Sequence, residues 1–248
     1  MPPTPPPPPA WPLPKFNIRI EDLAHPGADL FLDNVKPLAA LRAAVLASFE
    51  WLYATPGNAP TNVELIQLVL RPMDGVAYTF GSASQKEIHM SLDHIVNNSS
   101  RAREEIMGVL VHEVVHCYQY NANGSAPGGL IEGVADFVRL HADLAPPHWS
   151  RSPSPSDKWD SGYERTAYFL DWIEERQGKG TILALNAAMR EKDYDESLFV
   201  ELAGEPVRDL WKRYKAQFGV ADEEPEEKTE GEGEECYVLV RPYNPVYI

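Results

Sequence analysis

Two histidines four residues apart with a glutamate beside the first, His112-Glu113-Val114-Val115-His116, constrain this chain more than any other feature. Residues i and i+4 stand one above the other only on a regular α-helix. There the two imidazoles can reach a single metal ion at about 2.0–2.1 Å. Glu113 then points beside them, placed to take a proton from metal-bound water without itself ligating. The flanking Ile106, Met107, Leu110, Val111, Val114 and Val115 supply the apolar side that anchors such a helix, expected over 101–120. Asn98, Ser99 and Ser100 are residue types that cap helix N-termini.

A catalytic zinc takes three protein ligands and keeps one position open. The third ligand is expected from Glu132, in GGLIEGVADFVR. The loop 121–129, NANGSAPGG, must break the first helix and reverse the chain, so that a second helix over 130–143 faces the first. Glu132 and Asp136 are again i and i+4. Glu132 is read as the ligand and Asp136 as the group that holds the His112 imidazole by a hydrogen bond from behind. The exchanged assignment, with Asp136 ligating and Glu132 supporting, stays open. Gly133 is expected to let this helix approach the first closely.

Elsewhere the pattern is that of an α+β chain. KFNIRI at 15–20 alternates as a strand. Residues 34–53 have helical spacing, with Pro37 suited to a first turn. Strand-like segments follow at 62–71, 76–80 and 86–95, separated by Pro72, Asp74-Gly75 and Gly81-Ser82 as turn signals. The expected result is a small mixed sheet packed on a long helix, then the metal-site helix, then a mainly helical part with helices over 157–177, 179–191 and 205–218. The strand at 86–95 is expected to form the edge of the cleft, where an extended peptide can add main-chain hydrogen bonds.

Composition sets the remaining limits. The net charge is −15, but 222–235, DEEPEEKTEGEGEE, carries −8 of it, leaving an ordinary solvated surface elsewhere. No basic patch favours nucleic acid or an anionic membrane, and no apolar run reaches the length of a membrane span. Residues 1–14 are Pro-rich and expected to be extended; 221–248 is expected to be an acidic linker with a short apolar segment. The domain is therefore expected over 15–220. The beginning of the chain lacks a basic and apolar leader pattern. The two cysteines make no disulfide framework, so the cytoplasm is favoured over secretion as the expected location. Nothing in the sequence bears on oligomeric state.

The blocks HEVVHCYQYNANGSAPGGLIEGVADFVRLHADLAPPHW, KWDSGYERTAYFLDW and EIHMSLDHI resemble the plant basic secretory protein family, which also occurs in fungi and bacteria. The resemblance covers about residues 15–219. It implies a zincin-type fold and zinc-dependent peptide hydrolysis. IEGVADF is also similar to the glutamate helix of gluzincins, which implies Glu132 as the third ligand. The chain departs from the family in being acidic and in its two tails.

Several side chains have second-rank roles. Tyr163 is a candidate to lean over the zinc and donate its phenol proton to the oxyanion. Gln119, three residues after His116, could support the ligand shell, but a bond to loop backbone is the preferred reading. Arg139 could pair with a site carboxylate, with a surface or structural ion pair preferred. His25, His89, His94, His141 and His148 lack ligand spacing. Cys117 should be a small buried residue, while Cys236 is a remote candidate for the open metal position. The expected function is that of a zinc metallopeptidase with one Zn2+ per chain. Its catalytic residues are Glu113 and Tyr163, its ligands His112, His116 and Glu132, and its substrate a peptide or protein. The alternatives are a zinc-dependent hydrolase of another amide or ester, and a non-catalytic zinc-containing interaction protein.

Overall fold

The computed structural model describes residues 10–221; the expectations for residues 1–9, for the acidic stretch, for Cys236 and for the C-terminal apolar segment fall outside them. Four strands form one mixed sheet: β1 (Lys15–Ile20), β2 (Leu65–Arg71), β3 (Ala77–Gly81) and β4 (Gln85–Ser91). Their order is β1-β2-β4-β3. β1 runs parallel to β2 and β2 parallel to β4, whereas β3 is antiparallel to β4. The helices are α1 (Pro26–Asn34), α2 (Pro37–Tyr53), α3 (Leu92–Asn97), α4 (Ala102–Tyr118), α5 (Gly128–His141), α6 (Tyr163–Gln177), α7 (Thr181–Ala188), α8 (Ser197–Ala203) and α9 (Val207–Ala216). The arrangement is α+β, with the sheet and its helices first and a helical part after α4, as expected. Among the described residues no helix is long and apolar enough to cross a membrane.

Strand alternation decides which face of the sheet is covered. Ile66, Leu68, Leu70, Ile88 and Met90 are buried and share one face, onto which α2 and α4 pack. The opposite face carries a polar row, with hydrogen bonds from Asn17 to Gln67 (3.2 Å) and from Gln67 to Glu87 (2.9 Å). α4 is buried along almost its whole length, with Glu105, His112 and Glu113 among its buried residues beside the apolar ones. The helix carrying the histidine pair is therefore clamped between sheet, α2 and α5.

Several boundaries differ from expectation. Residues 34–53 begin instead at Pro37, which does occupy the first turn, and a separate α1 precedes them, capped by His25 Nδ1 accepting from the Gly27 N–H at 3.1 Å. The segment 86–95 is a strand only to Ser91, whose hydroxyl caps α3. Asn98, Ser99 and Ser100 do not cap α4. Arg101 holds that position without a side-chain bond, and Asn98 instead donates to the His94 carbonyl at 2.9 Å. Within 157–177 the helix starts at Tyr163, because Thr166 ties the preceding turn: its hydroxyl accepts from Gly162 N–H and donates to Trp159 O, both at 2.9 Å.

Gly133 serves a different partner from the one expected. It lies against α6, not α4: a Cβ there would stand 2.2 Å from Thr166 Cγ2. Gly133→Ala should therefore destabilise the protein by roughly 1–3 kcal/mol, the usual range for overpacking, measurable as a lowered denaturant midpoint. An unchanged midpoint would show that α6 shifts freely.

Candidate metal centre

α4 and α5 lie side by side, joined by the loop that reverses the chain, and their facing residues line one groove. On α4 these are Glu105, Val109, His112 and His116; on α5 they are Gly128, Glu132, Asp136 and Arg139. With β3 as one wall and 146–149 and 163–164 as the other, the groove becomes a cleft of about 1490 Å3. That is room for several residues of an extended chain.

At its middle His112 Nε2 lies 3.0 Å from Glu132 Oε2 and 3.1 Å from His116 Nε2, and His116 Nε2 lies 3.5 Å from Glu132 Oε2. One donor atom from each of His112, His116 and Glu132 falls within 4.8 Å of the others, close enough to share one metal ion. Asp136 is 2% exposed, and its Oδ1 stands 2.7 Å from His112 Nδ1. It faces the nitrogen away from the cluster, so the exchanged assignment of the two carboxylates does not match the geometry.

The proton arrangement around His112 calls for a cation. A carboxylate at Nδ1 makes that nitrogen the donor, so the neutral ring turns a lone pair outward from Nε2. That lone pair confronts the Glu132 carboxylate, acceptor against acceptor, unless a positive charge lies between. The protonation balance carries the same information. Burial lowers the pKa of His112, yet Asp136, Glu132 and Glu113 together outweigh it and lift it to about 10. Burial raises the pKa of Glu132 while the two histidines hold it far below the carboxylate range. A proton fills the role when no metal is bound; a divalent ion suits two imidazoles and a carboxylate better.

Gln119 belongs to this site, contrary to the expectation that it bonds loop backbone. Its amide lies 2.6 Å from His116 Nδ1, with Nε2 as the nearer atom, while Oε1 is buried without a hydrogen-bond partner among the described residues. Amide nitrogen and oxygen are assigned from their surroundings. Exchanging them puts Oε1 on Nδ1–H and leaves His116 Nε2 free to ligate. The cue available in the sequence was its position, three residues after His116 and just past the end of α4.

Thr79 was not foreseen at all. Its hydroxyl lies 2.6 Å from Glu113 Oε2 and 3.0 Å from the Glu113 carbonyl, and its single proton goes to the nearer, charged oxygen. β3, which carries Thr79, is the edge strand; the expected edge, 86–95, is interior as β4. Ser91 N–H bonds Val76 O and Ser82 N–H bonds Gln85 O, both at 2.9 Å. Bonded pairs alternate along an antiparallel ladder, so Ala77, Thr79 and Gly81 turn their backbone groups away from β4, toward the open edge.

Tyr163 sits on the rim, 55% exposed. Its ring lies parallel to that of His112 with centroids 6.0 Å apart. It has φ of 46°, after Gly162 at 90°. A non-glycine residue in this left-handed region costs on the order of 1–3 kcal/mol and occurs where surroundings over-determine it. Here the Thr166 bonds do so. Cys117 is buried, as expected.

Behind the metal cluster, Glu105 is held by Arg101, by His94 at 3.1 Å and by Arg139 at 3.5 Å. Arg139 also stacks on Trp149, 5.2 Å from the ring centroid, so it makes the structural pair expected of it. His89 is buried against Tyr78 on the far face of the sheet. His25, His89, His94, His141 and His148 all stay outside the group that could hold a metal ion. The His94 hydrogen bond and the two arginines hold the Glu105 carboxyl down at about 2 against the opposing effect of burial. The stabilisation it brings is complete above about 4.5 and is lost as pH falls from there through about 2. Acid should therefore remove roughly 2–3 kcal/mol of stability through this group. Glu105→Gln should flatten that part of the pH dependence in denaturant titrations at pH 7 and pH 3. An equally steep fall in the variant would remove Glu105 from the account.

Comparison with known proteins adds one finding. A family model described as BSP, peptidase of plants and bacteria, matches residues 13–214. No curated protein and no solved structure matches the chain.

Proposed function

Given that the chain belongs to the BSP family of peptidases of plants and bacteria, we propose that it is a zinc metallopeptidase of zincin type, with its catalytic unit in residues 15–220. The observation that carries this reading is the shared focus of His112, His116 and Glu132 beside a glutamate that is not among them.

His112, His116 and Glu132 hold the zinc in this reading, with Asp136 and Gln119 fixing the ring tautomers from behind. Zinc, when bound, supplies Lewis acidity, acidifying water and polarising the scissile carbonyl. Glu113 takes the proton from the attacking water and later returns it to the leaving amine. Thr79 supports this role. It occupies one carboxylate oxygen, orients the group, and leaves the other oxygen uncommitted among the described residues. Tyr163, on the rim, donates its phenol proton to the oxyanion of the tetrahedral adduct. The substrate is an extended peptide that adds to the open edge of β3 through Ala77, Thr79 and Gly81. Its backbone bonds to Thr79 while the Thr79 side chain holds the base, which sets the scissile bond against Glu113.

The test is digestion of a mixed peptide library by protein of measured zinc content, with and without a chelator. Cleavage that is lost on chelation and restored by zinc is expected. Zinc-loaded protein that cleaves no peptide would defeat the reading.

A further inference from the structure

The inward-facing positions of β4 are 86, 88 and 90. Two carry the apolar residues the pattern demands, Ile88 and Met90, both buried. The third is Lys86, partly buried, on the wall of the cleft. A lysine at such a position costs desolvation and side-chain entropy, and a protein with 37 acidic residues has ample means to pair it. Among the described residues the Lys86 ammonium has neither ion pair nor hydrogen bond, whereas Arg139, the other strong cation of the cleft, is held by Glu105.

The sheet register and the packing of β4 set the position of Lys86 along the cleft. On the sheet it pairs with Gly81, while Thr79, which holds Glu113, pairs with Ile88. Two strand residues span about 6.6 Å. The opposite end of β4 leads into α3, whose His94 meets Glu105 at 3.1 Å near the N-terminal end of α4, so Lys86 lies on the other side of Glu113, toward the C-terminal end of that helix. The other residues at this end, including Asn121, Gly124, Ala126 and Gly128, are uncharged. Among the described residues Lys86 is thus a cation without a bonded counter-charge, one or two extended residues away from the reacting centre, toward the C-terminal end of α4.

We propose that Lys86 is a specificity-determining residue, selecting substrates that bring a carboxylate one or two positions from the scissile bond on that side. The proposal rests on the peptidase reading and names the substrate class for it. The carboxylate belongs either to an Asp or Glu side chain or to the free C-terminus of the substrate.

Three matched peptide sets separate these sources: acidic side chains with amidated ends, amide isosteres with amidated ends, and amide isosteres with free ends. Wild type should favour a carboxylate set by roughly five-fold in kcat/KM, the scale of a half-exposed ion pair, and less so in high salt. Lys86→Met should lose the preference and Lys86→Glu should turn it toward basic peptides, with thermal melts confirming that both fold. A preference in the free-end set alone would assign the carboxylate to the terminus. The same labelled peptides are titrated onto zinc-loaded Glu113→Gln protein by fluorescence anisotropy, with and without Lys86→Met, so that selection is read without turnover. Absence of cleavage together with Lys86-dependent binding of acidic peptides would overturn the peptidase reading and leave Lys86 as a carboxylate-selecting residue of the cleft. No carboxylate preference in cleavage or binding, or one that Lys86→Glu leaves intact, overturns the proposal.

Discussion

Glu113→Gln should lower kcat/KM by about 10²–10⁴-fold, the usual contribution of a general acid–base group, while zinc stays bound at one per chain. The two effects separate because Glu113 does not belong to the His112, His116 and Glu132 group that could hold a metal ion. Glutamine retains the length of the side chain and can still accept from Thr79, so position is kept and only basicity is lost. Peptide cleavage and metal content measured on one preparation decide the matter. Cleavage at the wild-type rate with zinc bound would remove Glu113 from the mechanism. Loss of zinc along with activity would make it part of the binding site instead.

Asp136→Asn should weaken zinc binding by about 10–100-fold, the usual cost of changing a hydrogen-bond partner of a ligating histidine. Asp136 is buried at 2.7 Å from His112 Nδ1. As a carboxylate it can only accept, so it forces Nδ1 to be the donor and Nε2 to be the ligand. Asparagine can present its NH2 group instead, which stabilises the wrong tautomer. Competition titration with a chromophoric chelator reads the affinity directly. An unchanged constant would mean that packing alone orients the ring.

His112, Glu113, His116, Glu132 and Asp136 could be read from the chain because all five sit on helices, where spacing translates directly into a shared face. The loop expected over 121–129, which in the structure gives way to α5 at Gly128, signalled the reversal that sets one face against the other. Thr79 could not be read in this way. Its contact depends on strand order and on the register of β3 against β4, and AYTFG alone does not reveal either. The same gap misplaced the edge strand: residues 85–91 have the better strand pattern, yet a short strand with exposed Tyr78 and Phe80 shields them. Gly133 was recognised as a point of close approach but assigned to the wrong neighbour, since the sequence shows a missing side chain without showing what fills the space. Gln119 was misjudged for a related reason. Its bond forms where the helix ends, and helix ends are the least certain part of a sequence reading.

The two halves of the centre differ in how far apart their partners lie along the chain. His112 meets Glu132 across 20 residues and Asp136 across 24, within one helical hairpin. Glu113 meets Thr79 across 34 residues, through a strand whose place depends on the completed sheet. Contacts of short separation form first, because less loop entropy must be spent to close them. On that ground the hairpin bearing His112, His116 and Glu132 is expected to close ahead of the Thr79 contact when the full chain refolds from denaturant. In the zinc peptidase proposed above, affinity for the ion would then return before hydrolytic competence.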